Sequence, residues 1–318
     1  MRIHVISTIN GKLNEGMRNV ATHVTRGLER NHEVTYSESR DLLSNFFYSC
    51  FSDVVMIFAR ANRRVYWLCR ILGLVQKNIW IVCVQKPNEE FTNLVNSKPL
   101  PVGYLSLLED DLTEIALHDC YKKEQFFPGI NAQKFTAVDK KQQRTLKEKY
   151  GFSIEKPLVL HVGHCSAGRG LEDFLHIRNA EKVVVASGMF EHIDTIKTLE
   201  TDNVRIIRGY QEQIEEFYQM ADVYFFPTRT AEFVISIPLS VMEALSCGVP
   251  VIGYQEFGNL EKISAEEVAI TMLENGCNLS DVIDVVASNK QNQSLLKNPQ
   301  TWEQVVERIA LILEENLL

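Results

Sequence analysis

The chain has 318 residues, enough for two domains that each bury a hydrophobic core. Its composition, 45% hydrophobic and 23% charged, is typical of a globular protein without long disordered segments. The formal net charge of −8 argues against general nucleic-acid binding, because surfaces that bind DNA or RNA are positively charged.

Seven cysteines, an odd number, show no paired metal-ligand spacing and mostly lie in apolar contexts. We therefore expect free, buried thiols in a reducing compartment. The apolar stretch at residues 1–6 is too short and too interrupted by polar residues for a signal peptide to be expected. No apolar run has the eighteen or so residues of a membrane span. The expected location is cytoplasmic, with peripheral contact at the inner membrane face left open.

Strands and helices are predicted to alternate along the first half, as in a doubly wound parallel sheet. A loop is predicted over residues 8–17, which contain Gly11 and Gly16. A helix is predicted over residues 19–30, where apolar residues recur at helical spacing. The predicted strands of this half are residues 2–7, 33–36, 53–58, 79–84 and 102–105.

Residues 60–77 form a basic amphipathic stretch. Its apolar residues at helical spacing are Val65, Leu68, Leu72 and Val75, and its arginines include Arg63, Arg64 and Arg70. One interpretation is a helix lying on an anionic membrane surface. The other, which we favour, is a helix buried against the sheet with a solvated basic rim.

The pattern continues in the second half, with strands predicted over residues 182–186 and 204–208 and helices over 140–150, 214–220 and 302–317. The most informative segment is residues 222–254. An apolar strand over 223–226 is stopped by Pro227, Pro238 suits the first position of a helix, and Gly248 suits a left-handed cap at its end. This helix N-terminus would meet the carboxyl edge of a parallel sheet, a favourable place for phosphates.

Residues 242–252 read Met-Glu-Ala-Leu-Ser-Cys-Gly-Val-Pro-Val-Ile. They resemble the nucleotide-sugar loop of family-4 retaining glycosyltransferases with the GT-B fold, an α/β fold of two Rossmann-like domains facing across a cleft. The resemblance implies that Glu243 binds the ribose of the donor, and that Ser236 and Ile237 lie in the donor loop. The family's first glutamate would fall at Ile235, and the nearest acid is Glu232.

A second segment, residues 157–170, resembles the family's Val-Gly-Arg…Lys-Gly element, which binds the donor diphosphate. Here Gly163 ends the strand, His164 stands in place of the family's Arg, and Arg169 in place of its Lys. A guanidinium is permanently charged and can bind phosphate through two hydrogen bonds, whereas a neutral imidazole donates only one. The resemblance therefore assigns catalytic roles to Arg169 and His164.

Further positions are assigned by the same resemblance. Tyr210 falls where relatives present groups to the base of the donor, and Gly16 near the glycine that approaches the substrates, although a flexible loop glycine is an equal alternative. Residues 127–131 resemble the interdomain element. They predict an acceptor-side domain over 1–127 and a nucleotide-sugar domain over 128–318, which includes the closing helix 302–317.

Gln85 occupies the position of a histidine found in many relatives, on the acceptor side. Glutamine can hydrogen-bond a sugar hydroxyl but cannot act as a general base near neutral pH. The resemblance implies transfer of a hexose to a glycan or lipid-linked acceptor, with no metal and no cofactor beyond the nucleotide sugar. Two alternatives stay open: a non-catalytic nucleotide-sugar-binding or scaffold subunit, and a sugar-nucleotide epimerase.

Overall fold

The computed structural model describes residues 1–8, 15–116, 122–188, 191–263, 269–274, 276–296 and 299–317. The chain forms two compact units. The first comprises Met1–Gly129, Val234–Ile237 and Gln300–Leu318, and the second comprises Ile130–Phe233 and Pro238–Pro299. Gly11 and Cys120 lie outside the described residues.

The first unit is built on a six-stranded sheet in which every pairing is parallel. Its strands are β1 (Arg2–Ile6), β2 (Glu33–Ser37), β3 (Val54–Phe58), β4 (Ile79–Cys83), β5 (Gly103–Ser106) and β6 (Lys123–Gln125), in the order β2-β1-β3-β4-β5-β6. Its helices are α1 (Gly16–Leu28), α2 (Leu42–Phe51), α3 (Arg63–Leu72) and α4 (Glu89–Ser97), together with a C-terminal helix given below.

Three of these helices begin at an Asp or Asn residue whose side chain accepts hydrogen bonds from the first helical turn. The residues are Asp41 before α2, Asn62 before α3 and Asn88 before α4. Short polar side chains at this position satisfy backbone N–H groups that have no partner within the helix. The helix starts are thus set by local sequence.

Helix α3 packs against the sheet, the interpretation favoured from sequence. Its buried residues are Val65, Tyr66, Leu68, Cys69 and Leu72, which belong to the hydrophobic core. Val75, predicted on the same face, is exposed, because the helix ends at Leu72 and the chain turns after it. Within the described part of the chain, no helix is both long and apolar enough to cross a bilayer.

The second unit contains another sheet of six parallel strands. The strands are β7 (Leu158–Gly163), β8 (Glu181–Ala186), β9 (Arg205–Arg208), β10 (Val223–Phe226), β11 (Val251–Tyr254) and β12 (Ile270–Leu273), in the order β12-β11-β10-β7-β8-β9. The helices are α5 (Lys140–Lys149), α6 (Ile193–Thr201), α7 (Ile214–Met220), α8 (Leu239–Ser246) and α9 (Leu279–Ala287). The predicted class, an α/β protein with two Rossmann-like parallel sheets, is confirmed.

The closing helix α10 (Trp302–Glu315) belongs to the first unit, whereas the sequence pattern predicts it in the second domain. The His23 ring of α1 stacks on Trp302 with ring centroids 4.5 Å apart. Gly129 packs closely against the same tryptophan, since a Cβ at position 129 would lie only 2.6 Å from the backbone nitrogen of Trp302. Packing between segments far apart in sequence decides this assignment.

Most of the cysteines in the described part of the chain are free and buried, as expected, but Cys50 and Cys277 are exposed.

Candidate functional site

The strand order of the second sheet reverses between β7 and β10. In open α/β sheets, ligands bind outside the carboxyl ends of the strands at such a switch point. Strand β7 ends at Gly163 and β10 at Phe226, so the loops that follow these two residues form the candidate site. Both segments singled out from sequence lead into these loops.

Arg169 lies in the loop after β7 and is only 4% exposed. Its guanidinium lies against Gly163, since a Cβ at position 163 would be 2.9 Å from Nη2. The guanidinium carbon is 5.8 Å from the centre of the Phe226 ring. Burial lowers the pKa of Arg169. The switch point therefore holds a permanently charged, poorly hydrated cation, which favours an anionic ligand.

His161, on β7, is a neighbour of Arg169 that neither sequence motif indicated as a site residue. Its ring is fully buried, and Nδ1 lies 3.0 Å from the Phe225 carbonyl oxygen, so this nitrogen carries the proton and donates it. Burial, and then the charge of Arg169, lowers the pKa of His161 to about 3. The sequence feature that could have indicated His161 is the presence of a histidine within the otherwise apolar run of residues 158–162.

His164 follows directly after β7. Its Nδ1 lies 2.5 Å from the Ser187 hydroxyl oxygen, and Ser187 comes just after β8. The Ser187 backbone N–H also donates to the Gly163 carbonyl oxygen at 2.9 Å. Two neighbouring strand ends thus hold the half-buried imidazole at the carboxyl edge of the sheet.

Helix α8 starts in the loop after β10, and no side chain caps its N-terminus. Pro238 is the cap residue, one position earlier than predicted, because its extended ψ of 118° lies outside the helix. Gly248 has a φ of +73°, as expected for a left-handed residue just after a helix. The uncapped first turn leaves backbone N–H groups available to an anion.

Glu243, on α8, accepts a hydrogen bond of 2.7 Å from the Tyr218 hydroxyl of α7. Burial raises the pKa of Glu243 to about 7, against the smaller opposing effects of Tyr218 and Lys134. Tyr218 is fully buried and fixes one carboxyl oxygen. Tyr218 could not be identified from sequence as the partner of Glu243, because strand β10 separates α7 from α8 in the chain and the two helices meet only in the folded structure.

The raised pKa predicts a stability effect of Glu243→Gln. The wild-type protein should lose stability relative to the variant as pH rises from 4.5, the ordinary value, to about 7, because ionisation costs more in the folded state. For this half-buried group we expect about 1–2 kcal/mol. Thermal unfolding of both proteins at pH 5 and pH 8 measures the effect. Glu232→Gln, at an exposed site, is the control, and an equal pH dependence in wild type and Glu243→Gln contradicts the prediction.

Tyr210 lies on the same edge of the second sheet, after β9, and is exposed. Two strand spacings separate β9 from β7, about 10 Å. The loop that carries Tyr210 and the loop that carries Arg169 thus follow strands two places apart on the same edge of the sheet.

The remaining predicted residues, Gly16, Gln85, Ser236 and Ile237, belong to the first unit. The Ser236 backbone N–H donates to the Val84 carbonyl oxygen at 2.8 Å, beside Gln85 at the end of β4. The Ile235 side chain covers Gly16, where a Cβ would lie 3.1 Å from Cδ1. The position of the family's first glutamate is thus filled by an apolar side chain packed on Gly16.

A family model described as glycosyl transferases group 1 matches residues 142–318, more than half of the chain. The chain belongs to this family. The matched residues include every predicted site residue of the second unit, together with Ser236 and Ile237. No curated protein sequence matches this glycosyl transferase.

Solved structures share the fold of this glycosyl transferase. The complex of Anabaena HepE with UDP has a TM-score of 0.77 at 11% identity and covers 99% of each chain. Sucrose-phosphate synthase from Thermosynechococcus elongatus has a TM-score of 0.75 at 12% identity, covering 99% of this chain and 98% of its own. A glycosyltransferase from Rickettsia africae has a TM-score of 0.72 at 13% identity, covering 99% and 97%. At these identities the similarity establishes the GT-B fold alone.

Proposed function

We propose that the protein transfers a hexose from a nucleoside-diphosphate sugar to a glycan or lipid-linked acceptor, with retention of anomeric configuration. The observation that carries this proposal is the buried guanidinium of Arg169 at the switch point of the second sheet. Family membership supports glycosyl transfer. The HepE structures, solved with UDP and with UDP-glucose, support a nucleotide-sugar donor.

The proposed role of Arg169 is to stabilise the leaving diphosphate. Charge accumulates on the diphosphate as its bond to the sugar breaks, and a fixed cation in a poorly hydrated site lowers the energy of that state. The first N–H groups of α8 and a hydrogen bond from His164 add to the positive potential. Gly163 allows the backbone and the guanidinium to approach closely.

Glu243 is proposed to accept hydrogen bonds from the ribose hydroxyls. Tyr218 holds one of its oxygens, which leaves the other for the ligand. Tyr210 is proposed to contact the base. Gly16, Ser236 and Ile237, all in the first unit, stay predictions for donor binding.

The retaining step is proposed to use no protein nucleophile. The bond between the anomeric carbon and the diphosphate oxygen breaks, and the acceptor oxygen bonds to the same face of that carbon. The acceptor proton passes to an oxygen of the leaving diphosphate. Gln85 fits this scheme, because its amide can hydrogen-bond an acceptor hydroxyl but cannot take its proton.

Incubation with a panel of nucleotide sugars tests the proposal, with free nucleoside diphosphate and the anomeric configuration of the product as readouts. We expect diphosphate release and a product with the anomeric configuration of the donor. Binding without release indicates a non-catalytic scaffold subunit, the alternative suggested by Ile235 and Gln85 in place of the family's first glutamate and histidine. A changed sugar without released diphosphate indicates an epimerase. Either result overturns transfer.

We also expect transfer to continue without a divalent metal. Arg169 and the N-terminus of α8 supply the positive potential that a metal ion would otherwise provide. Initial rates measured with and without EDTA should agree within about twofold. Loss of activity in EDTA that manganese or magnesium restores contradicts this prediction.

A further inference from the structure

Helix α2 has its polar residues inside and its apolar residues outside. Asn45 and Ser49 are buried, although they are polar. Leu42, Leu43, Phe46, Phe47 and Phe51 are all exposed, with Leu43 at 86% and Phe47 at 59%. A helix packed on a sheet normally has the opposite arrangement.

Hydrogen bonds hold the helix in this orientation. The Ser37 hydroxyl donates to Asn45 Oδ1 at 2.5 Å, and Asn45 Nδ2 donates to the Glu38 carbonyl oxygen at 3.1 Å. On the same buried side, Gln76 Nε2 donates to the Ser52 carbonyl oxygen at 2.7 Å. Turning the phenylalanines inward would break these bonds and leave buried polar groups unsatisfied. The exposed apolar face is therefore a fixed feature of the first unit.

Helix α3 extends this apolar surface. The crossovers from β2 to β3 and from β3 to β4 run in the same direction along the sheet, so right-handed connections place α2 and α3 on the same side. The two helices also contact each other. Trp67, Ile71 and Leu74 are exposed on or just after α3, with Leu74 at 81%. We call these three residues and the five apolar residues of α2 the α2–α3 face.

The charge beside the α2–α3 face identifies the surface that would cover it. Residues 54–77 contain no Asp or Glu, but five basic residues: Arg60, Arg63, Arg64, Arg70 and Lys77. Arg63 also forms an exposed ion pair with Glu90 of α4, at 3.4 Å. The chain as a whole carries a net charge of −8. Exposed aromatic and aliphatic side chains flanked by arginines suit the boundary between lipid headgroups and acyl chains in an anionic bilayer.

We propose that the α2–α3 face binds the surface of anionic membranes, with Phe47 and Phe51 of α2 entering the lipid. This goes beyond a basic helix over residues 60–77, because the apolar face of that helix is already used by the sheet. The main lipid contact comes from α2. The inference does not depend on the proposed transfer activity, and its test needs no substrate.

Flotation with vesicles tests the proposal. The wild-type protein should float with phosphatidylcholine vesicles that contain phosphatidylglycerol, and much less with phosphatidylcholine alone. Raising the salt should weaken binding, because exposed charges are screened within about 10 Å at 0.1 M ionic strength. Trp67 is the one exposed tryptophan of three, so its emission should shift to shorter wavelength on binding.

The double variant Phe47→Glu, Phe51→Glu should lower vesicle binding at least about tenfold while leaving thermal unfolding unchanged, since both side chains are exposed. Phe47→Ser, Phe51→Ser should act in the same direction without adding charge. Val285→Glu, at an exposed apolar residue of α9, is the matched control and should bind like wild type. Reversing the charge of Arg63 and Arg64 should remove the preference for anionic lipid.

Three results overturn the proposal: no flotation of the wild-type protein, flotation that both phenylalanine variants retain, or a dimer in solution that these variants dissociate. The last result would show that a second copy of the chain covers the face. Light scattering after size-exclusion chromatography provides that measurement.

Discussion

Replacing Arg169 with alanine should weaken nucleoside-diphosphate binding at least about tenfold, because a charge-assisted hydrogen bond contributes about 1.5–3 kcal/mol. The side chain lies at the switch point of the second sheet, where its guanidinium is buried against Gly163. Arg169→Lys keeps the positive charge but cannot form a bidentate contact with phosphate, so the affinity of this variant for nucleoside diphosphate should be intermediate. Isothermal titration calorimetry with UDP, GDP and ADP measures these differences.

Arg178→Ala is the matched control for this experiment. Arg178 is in the same unit, but it precedes β8 and so lies at the opposite edge of the sheet, where it forms an exposed ion pair of 3.8 Å with Asp202. Its loss should leave the affinity unchanged. If Arg169→Ala binds every nucleotide as tightly as the wild-type protein while the circular dichroism spectra agree, the diphosphate role of Arg169 is wrong.

Gly248→Ala should lower the free energy of unfolding by about 3–5 kcal/mol, a large loss for a single added methyl group. Two causes combine. The φ of +73° is strained for a residue with a side chain, and a Cβ would lie 2.2 Å from the Gln291 carbonyl oxygen and 2.7 Å from that of Gln293. Because both contacts are with backbone, a change of side-chain rotamer cannot relieve them. Urea unfolding measures the loss.

Gly258→Ala separates the two causes. Gly258 has nearly the same φ, +72°, but a Cβ there meets no atom within 4 Å among the described residues. Its substitution should cost only about 1–2 kcal/mol, from the backbone conformation alone. Equal losses at the two positions would show that the close approach to residues 291 and 293 contributes nothing.

The alternation of strands and helices and the position of the loops at strand ends follow from the amino-acid sequence. The buried strands of both sheets are short apolar runs, and their connections are bounded by Gly, Pro, Asn and Asp residues, so these features depend on neighbouring residues. Gly248 could be singled out for the same reason, whereas Gly163 and Arg169 were indicated by the resemblance of residues 157–170 to the diphosphate-binding element of the family.

Which segments come together depends on the tertiary structure. It grouped residues 234–237 and helix α10 with the first unit, although both follow β10 in the chain. It paired Glu243 with Tyr218, and it turned the polar residues of α2 inward, where Ser37 and Gln76 bind its side chains and backbone. These contacts join residues from different elements, so the spacing of residues along the chain does not predict them.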